Sequence, residues 1–479
     1  MSSPTSGPVL LAARAGRLPD GRLPDGFAVR LDPRVRRRDG GATLLGGSPL
    51  RLLRLAPRAR ALLTGDRLVV GDGTTAALAA RLLDAGLAHP DLPPAAATGD
   101  VTVVIPVKDR PAALARLLAA LRADPATRDL PVVVVDDGSA VPVAAPGACL
   151  LRHDSAQGPA AARNAGLHAA RTTAVAFLDS DCVPGAGWLQ TLLAHLADPR
   201  LAVVAPRIVP LPGTRGWPAP YEHAVSALDM GSSPAPVRPR AGVSYVPSAA
   251  LLVRRAALGD GFDATMRVAE DVDLVWRLAT AGWRVRYEPA AAVAHEHPAA
   301  TGEWLRRRAF YGTGAALLAA RHGSAVSPLV LAPDSALALA LAVAGRGRFR
   351  AAAAGVLAVA TVRLARRLAR PGERPPVAFA AALVLRGTGA SGRAAARAAT
   401  RHHWPVAVLA ALVSRRARRW VLAVAAVDGL VAWWPHRERV GPVRFATARR
   451  LEDVAYGTGL WWGAVRARDA RALLPARPE

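Results

Sequence analysis

The sequence from 101 to 139 reads VTVVIPVKDRPAALARLLAALRADPATRDLPVVVVDDGS. It begins with a short apolar run, continues with helical apolar spacing over 110–123, and ends with a second apolar run that leads into two aspartates. Continuous apolar runs bounded by turn residues are typical of strands buried on both faces of a sheet. Because strand, helix and strand in alternation specify a mostly parallel sheet, this stretch predicts an α/β domain.

The same alternation continues along the chain. GPAAARNAGLHAAR, at 158–171, has the pattern of a helix, and AVAFL, at 174–178, has that of a buried strand that ends in DSDCVPG. Side chains at i and i+2 of an extended segment project to the same side, so Asp179 and Asp181 can converge on one point. A solvated turn is the alternative interpretation of this acidic pair.

Acidic residues also stand at or near the ends of other predicted strands. Asp109 follows VIPV, and Asp136 with Asp137 follows VVVV. Glu270 and Asp271 come later, in RVAEDVDLVWRLATAGWRV. In open α/β sheets, ligands bind outside the carboxyl ends of the strands. The shared position of these carboxylates therefore predicts a functional site at that edge of the sheet.

Five motifs in this order resemble the family 2 glycosyltransferases, inverting enzymes of the GT-A fold that use nucleotide sugars. The motifs are VIPVKDR, VVVVDDGS, GPAAARNAGL, FLDSDC and AEDVDLVWRL, and the resemblance covers about residues 101–315. It implies an α/β, GT-A (Rossmann-like) nucleotide-sugar domain. It also implies that the donor chemistry depends on those residues alone.

The resemblance implies how the nucleotide sugar and a divalent cation are held. The residues expected to bind the nucleotide sugar are Asp109, Asp136, Asp137, Arg163 and Asp179. Asp181 and Asp179 are expected to bind Mg or Mn, which prefers oxygen ligands and stabilises the charge that builds on the leaving diphosphate. His295 is expected to complete the metal shell, with His297 beside it. Plain alternatives remain: a helix cap for Asp109, a surface arginine for Arg163, and a core or solvated histidine.

The resemblance also implies a general base for the acceptor hydroxyl. Asp271, at the start of the predicted helix DVDLVWRLATAG, is expected to be this base, and Glu270 is the second candidate. A single displacement with one base leads to inversion at the sugar. Asp273 is expected to cap the helix or to pair with Arg277, because residues at i and i+4 meet on a helix face.

Further candidates for acceptor or diphosphate contacts lie outside these motifs. Trp188, in GAGWL, is expected either to stack on a sugar ring or to pack a helix. EWLRRRAFYGTG takes the place of the Gln-x-x-Arg-Trp element of processive synthases, but the Gln and the following Trp are absent. This departure argues against a long cellulose-like polymer and leaves Arg306, Arg307 and Arg308 as candidate contacts.

The first hundred residues contain a small module of their own. VRLDPRVRRRDGGATLLGGSPLRLLRLAPRARALL, followed by a helix that ends in RLLDAGLAHP, resembles the PqqD-like domains, which are small winged-helix peptide binders. An inert α+β appendage is the alternative. The predicted regions are a flexible leader at 1–25, the PqqD-like peptide-binding module at 26–90, a linker at 91–100, the glycosyltransferase domain at 101–320 and an Arg/Ala-rich helical region at 321–479.

The charge and the cysteine content of the chain limit the kinds of partner and the cellular compartment that the sequence predicts. The formal net charge is +26, but Lys108 is the only lysine, so the excess of arginine partly reflects the codon usage of a GC-rich genome. From 341 to 479, 25 Arg and 7 Asp or Glu residues are interleaved with apolar runs, which favours anionic lipid over nucleic acid as a partner. We expect this helical region to associate with the cytoplasmic face of the cell membrane, either inserted or lying on it; a soluble cytoplasmic protein is the second choice. Two cysteines and no signal-peptide pattern fit a reducing cytoplasm.

The three regions in one chain resemble the glycosyltransferases of mycofactocin systems. This resemblance implies an inverting hexosyltransferase that moves glucose from UDP-glucose to the peptide-derived mycofactocin precursor and builds a short β-linked glycan. It also implies partner proteins from a peptide-maturation pathway. Two alternatives stay open: a cell-wall or lipid-directed family 2 glycosyltransferase, and a sugar-binding scaffold without catalysis. The intact Asp-x-Asp and Glu-Asp elements argue against the scaffold.

Overall fold

A computed structural model describes residues 14–19, 21–63, 65–345, 347–369 and 374–477. The chain forms two compact units. The first unit contains the residues up to Arg215 together with Val225–Pro298, and the second contains Gly216–Ala224 together with Ala299–Glu479. Each unit has its own packing, so the two are described separately below.

The N-terminal module lies in the first unit and is α+β, as predicted. Its elements are β1 (Ala28–Leu31), β2 (Arg36–Arg38), β3 (Thr43–Gly46), β4 (Arg51–Arg54), α1 (Pro57–Leu62), β5 (Arg67–Val69), α2 (Gly73–Ala85) and β6 (Ala88–Pro90). They form two small antiparallel sheets, ordered β5-β1-β6 and β2-β3-β4. Helix α2 begins with a capping box, in which the Thr75 N–H donates to Asp72 Oδ1 at 2.7 Å.

The predicted leader at 1–25 is described only in part, since residues 1–13 and 20 lie outside the described ranges. The described part contacts later residues of the same unit. The Gly16 N–H donates to the Ala257 carbonyl at 2.8 Å, and the Trp283 indole donates to the Gly16 carbonyl at 3.0 Å. These hydrogen bonds hold this segment against the domain that follows.

The part of the first unit that follows residue 100 is built on one large sheet. Its elements are β7 (Val101–Val107), α3 (Pro111–Ala123), β8 (Val132–Asp136), β9 (Cys149–Arg152), α4 (Pro159–Ala169), β10 (Ala174–Leu178), β11 (Cys182–Pro184), α5 (Trp188–Ala194), β12 (Leu201–Pro210), β13 (Ala235–Pro236), β14 (Ala250–Arg254), α7 (Glu270–Thr280) and β15 (Arg284–His295). Along the chain, α6 (Ala219–Ala224), which belongs to the second unit, comes between β12 and β13. The predicted strands and helices of 101–178 are all present, and the GT-A-like α/β fold class is confirmed.

The strand order of the large sheet is β11-β15-β12-β14-β10-β7-β8-β9, with β13 paired to β15. Strands β10, β7, β8 and β9 are parallel, as the alternating pattern predicts. Beyond β10 the sheet is mixed, because β14 runs antiparallel to both β10 and β12. The prediction of a mostly parallel sheet therefore holds only for the half built from alternating strands and helices.

Close packing of α4 on β7 depends on Gly166. A Cβ at this position would collide with the Val104 side chain. The absent side chain lets the helix approach the sheet, so that its buried Arg163 lies near the carboxyl ends of the strands. A sequence change at Gly166 would consequently displace a candidate site residue.

An ion pair and a hydrogen bond join the N-terminal module to strand β15 of the large sheet. The Arg284 guanidinium lies 2.8 Å from Asp84 of α2 and 2.8 Å from Asp198. Arg286, which is buried, donates to His89 Nδ1 at 2.7 Å. Burial, followed by the charge of Arg286, lowers the pKa of His89 to about 4, so this histidine is neutral at physiological pH. The module is thus part of the structure that holds β15.

Replacing Asp84 with alanine is expected to lower the free energy of unfolding by about 1–2 kcal/mol, because it leaves the buried Arg284 with a single carboxylate partner. Chemical denaturation of the purified chain measures this change. The control is Asp66→Ala, which removes the exposed pair with Arg30 and should change stability by about 0.5 kcal/mol or less. Equal effects of the two substitutions would contradict a structural role for the module.

The second unit is helical, as predicted. Besides α6, its helices are α8 (Thr301–His322), α9 (Pro333–Ala344), α10 (Gly347–Leu368), α11 (Val377–Arg397), α12 (Trp404–Val413), α13 (Arg415–Trp433) and α14 (Pro442–Ala467). Glycines let α8 and α14 pack closely, since a Cβ at Gly312 or Gly459 would collide with the backbone of the facing helix. The predicted boundary after residue 320 falls inside α8, which packs along α14 as one element of this unit. Across the described ranges, none of the helices combines the length and apolar character that a bilayer span requires.

Candidate active site

The acidic residues predicted from the sequence come together because of the strand order. Asp109 follows β7, Asp136 ends β8, and Asp179 follows β10; these strands are parallel neighbours. The pairing register sets Val107 beside Asp136 and Val104 beside Phe177. All three strands therefore end at the same edge of the sheet, as predicted.

Asp136 and Asp137 both organise backbone at this edge. Asp136, which is fully buried, accepts the Ser139 N–H at 2.9 Å and the Arg152 guanidinium. Asp137 accepts His153 Nδ1 and two backbone N–H groups, of Gln157 and Gly158, each at 2.8 Å. Burial alone would raise the pKa of each carboxyl, but hydrogen bonds outweigh it and lower both pKa values. Both carboxylates thus hold the loops that frame the predicted nucleotide pocket.

Asp109 is the exposed member of the group. Its backbone is left-handed, with φ at 54°, and its N–H donates to Ser139 Oγ at 2.9 Å. Its carboxylate accepts the Ala140 N–H at 2.8 Å. The loop after β7 is thereby tied to the loop after β8, although Asp109 itself is exposed.

Arg163 joins two of the acidic elements. This arginine of α4 is 3% exposed, donates to Asp179 Oδ1 at 2.6 Å, and donates to Glu270 Oε1 at 3.0 Å. Burial alone would lower its pKa, but the two carboxylates raise it. Arg163 is therefore a fixed internal cation rather than a surface arginine, and it places Asp179 near the Glu270-Asp271 element.

Asp179, Asp181 and His295 form a cluster with metal-ligand spacing. Each offers one ligand atom, and these atoms all lie within 4.8 Å of one another. The cluster forms because β11 pairs with the end of β15 in a register that sets Cys182 opposite His295. His295 Nε2 lies 3.3 Å from Asp181 Oδ1, whereas its buried Nδ1 has no hydrogen-bond partner among the described residues. Two carboxylates and an imidazole are a donor set that suits Mn²⁺ and is compatible with Mg²⁺.

Asp271 differs from Glu270 in its partners. Its carboxylate accepts only backbone N–H groups among its described hydrogen bonds, from Val272 at 2.8 Å and from Ser248 at 3.2 Å. Burial, and then the charge of Glu270, raise the pKa of Asp271 to about 7. Ala269, just before the pair, has a φ of 63°, a strained value for a residue with a Cβ. A carboxylate with a raised pKa and no ion-pair partner among its described contacts is suited to act as a general base.

Known proteins of similar sequence bear on the function of this site. The model of the glycosyl transferase family 2 matches residues 102–262. Two proteins named pre-mycofactocin glycosyltransferase, from Mycobacterium tuberculosis strains CDC 1551 / Oshkosh and ATCC 25618 / H37Rv, are each 49% identical to the chain over 472 residues. Each alignment covers 95% of this chain and 98% of the relative. The chain belongs to the pre-mycofactocin glycosyltransferase family. It is accordingly a glycosyltransferase of the mycofactocin pathway, as predicted.

A solved structure adds little to this assignment. The mannosyltransferase PcManGT from Pyrobaculum calidifontis, in complex with GDP-Man and Mn2+, is 19% identical and aligns over 76% of this chain and 90% of its own. The TM-score of 0.37 is too low to bear on the fold or the site of a pre-mycofactocin glycosyltransferase.

Trp188 and the three arginines belong to different units of this family member. Trp188 is 1% exposed at the start of α5, which favours the packing alternative over stacking on a sugar. Arg306, Arg307 and Arg308 lie on α8 of the second unit. There, Arg307 pairs with Glu303 of the same helix, and Arg308 is buried between Glu222 and Glu452. The pairing of Arg308 indicates a role in the interior of that unit.

Several contacts at the candidate site of this glycosyltransferase were not predicted. Arg110 NH1 lies 2.6 Å from Asp181 Oδ2, and the Ser248 N–H reaches Asp271. Arg110 is the last residue of the motif VIPVKDR. Its position next to Asp109 is the feature of the sequence that could have pointed to it as a site residue. No local pattern points to Ser248, which lies in a long segment before β14.

Transfer by this pre-mycofactocin glycosyltransferase is expected to rise with pH through about 7 and then to level off. Asp271, the predicted base, must be ionised to accept a proton, and its pKa is raised, so activity is expected to be lost as the pH falls below that value. A profile of kcat/KM against pH measures this limb. A flat profile from pH 5.5 to 8 would exclude Asp271 as the base, provided that the fold is intact over that range.

Proposed function

We propose that the chain is an inverting hexosyltransferase that moves glucose from UDP-glucose to the peptide-derived mycofactocin precursor and extends it to a short β-linked glycan. The proposal is supported most directly by Arg163, which links Asp179 of the metal-spaced cluster to Glu270 beside Asp271. A site for the leaving group and a site for the base are thereby held in one rigid arrangement. The choice of sugar, linkage and acceptor rests on the resemblance to mycofactocin glycosyltransferases.

The reaction is a single displacement. Asp271 accepts the proton of the acceptor hydroxyl while the acceptor oxygen forms a bond to the anomeric carbon. The bond from that carbon to the donor phosphate breaks, and the diphosphate leaves with the electron pair. Because the acceptor attacks from the face opposite the diphosphate, the configuration at the anomeric carbon inverts. Glu270 is bound to Arg163 and acts as a positioning residue.

Asp179, Asp181 and His295 are the residues that would hold a divalent cation. Such a cation, Mn or Mg, supplies positive charge that stabilises the leaving diphosphate. Arg163 orients Asp179, and the pairing of β11 with β15 orients His295. The loops that Asp109, Asp136 and Asp137 shape are proposed to hold the nucleobase and the ribose of the donor.

Donor and acceptor assays test this proposal together. The purified chain is incubated with the mycofactocin precursor and, in separate reactions, with UDP-glucose, UDP-galactose or GDP-mannose, with and without Mn²⁺. Mass spectrometry is expected to show hexose addition that is fastest with UDP-glucose and is lost with a chelator. Transfer to a polyprenyl phosphate, and none to the precursor, would instead support the lipid-directed alternative.

We also propose that the second unit associates with anionic membranes. None of the ten residues of α12 is buried, and Leu409, Leu412 and Val413 are 63%, 74% and 90% exposed. The exposed Arg415, Arg418 and Arg419 follow at once, on α13. An apolar surface next to arginines suits the interface of an anionic bilayer.

Sedimentation with vesicles checks this prediction. We expect the chain to pellet with vesicles that contain anionic lipid at low salt and to be released at about 1 M salt, where the Debye length falls to about 3 Å. A triple variant with Gln at 415, 418 and 419 should bind more weakly. Recovery of the native chain wholly in the supernatant at low salt would contradict membrane association.

A further inference from the structure

Arg110 occupies a position at the metal-spaced cluster that the glycosyltransferase reaction, as described above, does not use. Its NH1 lies 2.6 Å from Asp181 Oδ2, on the opposite side of that carboxylate from His295, which lies 3.3 Å from Oδ1. The Arg110 side chain is 37% exposed, whereas that of Asp181 is 9% exposed. A solvent-accessible cation thus rests on a nearly buried carboxylate that is also a candidate metal ligand.

Arg110 and Arg163 differ in how firmly they are held. Arg163 is buried and donates to two carboxylates, so both ends of its guanidinium are fixed. Arg110 has Asp181 as its only ion-pair partner among the described residues, and its side chain leaves the chain just before the rigid Pro111 that begins α3. Rotation of the Arg110 side chain therefore breaks one ion pair, whereas movement of Arg163 would break two.

A divalent cation and a guanidinium compete for the negative charge of the same carboxylate. The cation carries twice the charge, so it displaces the guanidinium once it binds Asp181. The released guanidinium stays within a side-chain length of the site and needs a new anion. Arginine binds phosphate oxygens through two parallel N–H groups, which makes the donor diphosphate the matching partner.

We propose that Arg110 is an exchangeable counter-ion, which neutralises Asp181 before a divalent cation binds and pairs with the donor diphosphate afterwards. This inference rests on the proposed nucleotide-sugar and cation site. It assigns Arg110 two opposing effects: it weakens binding of the cation alone and strengthens binding of the nucleotide diphosphate. A purely structural arginine would not separate these two affinities.

Equilibrium binding measured without turnover tests the proposal. Free Mn²⁺ is followed by electron paramagnetic resonance in titrations of the full chain, and UDP binding is then measured by calorimetry at saturating Mn²⁺. For Arg110→Ala we expect about three- to tenfold tighter binding of Mn²⁺ alone, because an ion pair with a nearly buried carboxylate no longer competes. We expect about tenfold or more weaker binding of UDP, because a charge-assisted contact is lost.

One further variant separates the effect of charge from that of side-chain geometry, and another serves as a control. Arg110→Lys keeps the charge but loses the planar fork, so it should bind Mn²⁺ as the native chain does and bind UDP with intermediate affinity. It also serves if the alanine variant fails to fold. Arg122→Ala removes an exposed arginine from the far end of the same helix, about 18 Å away at 1.5 Å per residue, and should leave both affinities unchanged.

The outcomes distinguish this inference from the proposed function. If the native chain and Asp181→Ala bind Mn²⁺ equally poorly, the proposed cation site is itself contradicted. If the native chain binds Mn²⁺ and UDP but Arg110→Ala matches it in both titrations, only the role of Arg110 is overturned. Parallel weakening of both ligands would also overturn it, because that result describes a damaged site.

Discussion

Replacement of Asp271 by asparagine is expected to lower kcat by about 100- to 10,000-fold while donor affinity stays nearly unchanged, since this is the usual contribution of general acid–base catalysis. The asparagine keeps the size of the side chain and one of its two acceptor oxygens, so it retains one of the two hydrogen bonds that Asp271 accepts, from the Val272 N–H on Oδ1 and from the Ser248 N–H on Oδ2. It cannot accept a proton from the acceptor. Turnover with saturating acceptor, together with calorimetric titration of the donor, measures both quantities.

Glu270→Gln is the matched comparison for that experiment. Glu270 accepts Arg163 NH1 at 3.0 Å, so removal of its charge disturbs the arginine that also holds Asp179. We expect this variant to lose donor affinity as well as turnover. If Asp271→Asn retained full turnover and Glu270→Gln lost only kcat, the role of base would pass to Glu270.

Replacement of Asp181 by alanine is expected to abolish detectable transfer and to remove the dependence of nucleotide binding on metal. Asp181 is the carboxylate shared by His295 on one oxygen and Arg110 on the other. Its loss removes a proposed metal ligand and leaves the buried His295 without the carboxylate that lies next to its Nε2. Transfer assays and UDP titrations with and without Mn²⁺ measure the effect.

Asp129→Ala serves as the control for that variant, because Asp129 is exposed and lies outside the cluster. It should retain native transfer and native UDP binding. Sugar transfer that persists in Asp181→Ala, or in the native chain with a chelator present, would remove the metal from the proposed mechanism.

The convergence of the acidic residues could be predicted because it follows from local patterns. Each apolar run defines a strand, each intervening helix makes the next strand parallel, and the acids follow the strands directly. Asp109, Asp136 and Asp179 therefore had to end at one edge of the sheet. The resemblance in AEDVDLVWRL pointed to Asp271, and the structure adds why this carboxyl suits the role of a base, because burial beside Glu270 raises its pKa.

Contacts between distant segments could not be predicted in the same way. Asp84 and Arg284 are 200 residues apart, and neither lies in a pattern that names its partner. Charged residues in an arginine-rich chain fit many pairings equally well from sequence alone. The sequence predicts that donor chemistry depends on 101–315 alone. The ion pair through which Asp84 of the module holds β15, the strand that ends at His295, is a contact from outside that range.

Trp188 shows a second limit of sequence patterns. From its sequence context, a tryptophan after a glycine-rich turn fits either of two roles, stacking on a sugar ring or packing in the hydrophobic core. Only the three-dimensional packing of α5 under the sheet, which leaves the ring 1% exposed, distinguishes the two. The direction of β14 in the mixed half of the sheet could likewise not be predicted, because it depends on the pairing of β14 with β10 rather than on the residues of β14 itself.

The anomeric configuration of the first transferred sugar tests the central claim most directly. The native chain is incubated with UDP-glucose, whose glucose is α-linked, and with the mycofactocin precursor, and the product is examined by nuclear magnetic resonance. A single displacement assisted by Asp271 predicts a β-linked sugar in the product. An α-linked sugar would contradict the account, because retention requires a second displacement or attack from the face of the leaving diphosphate.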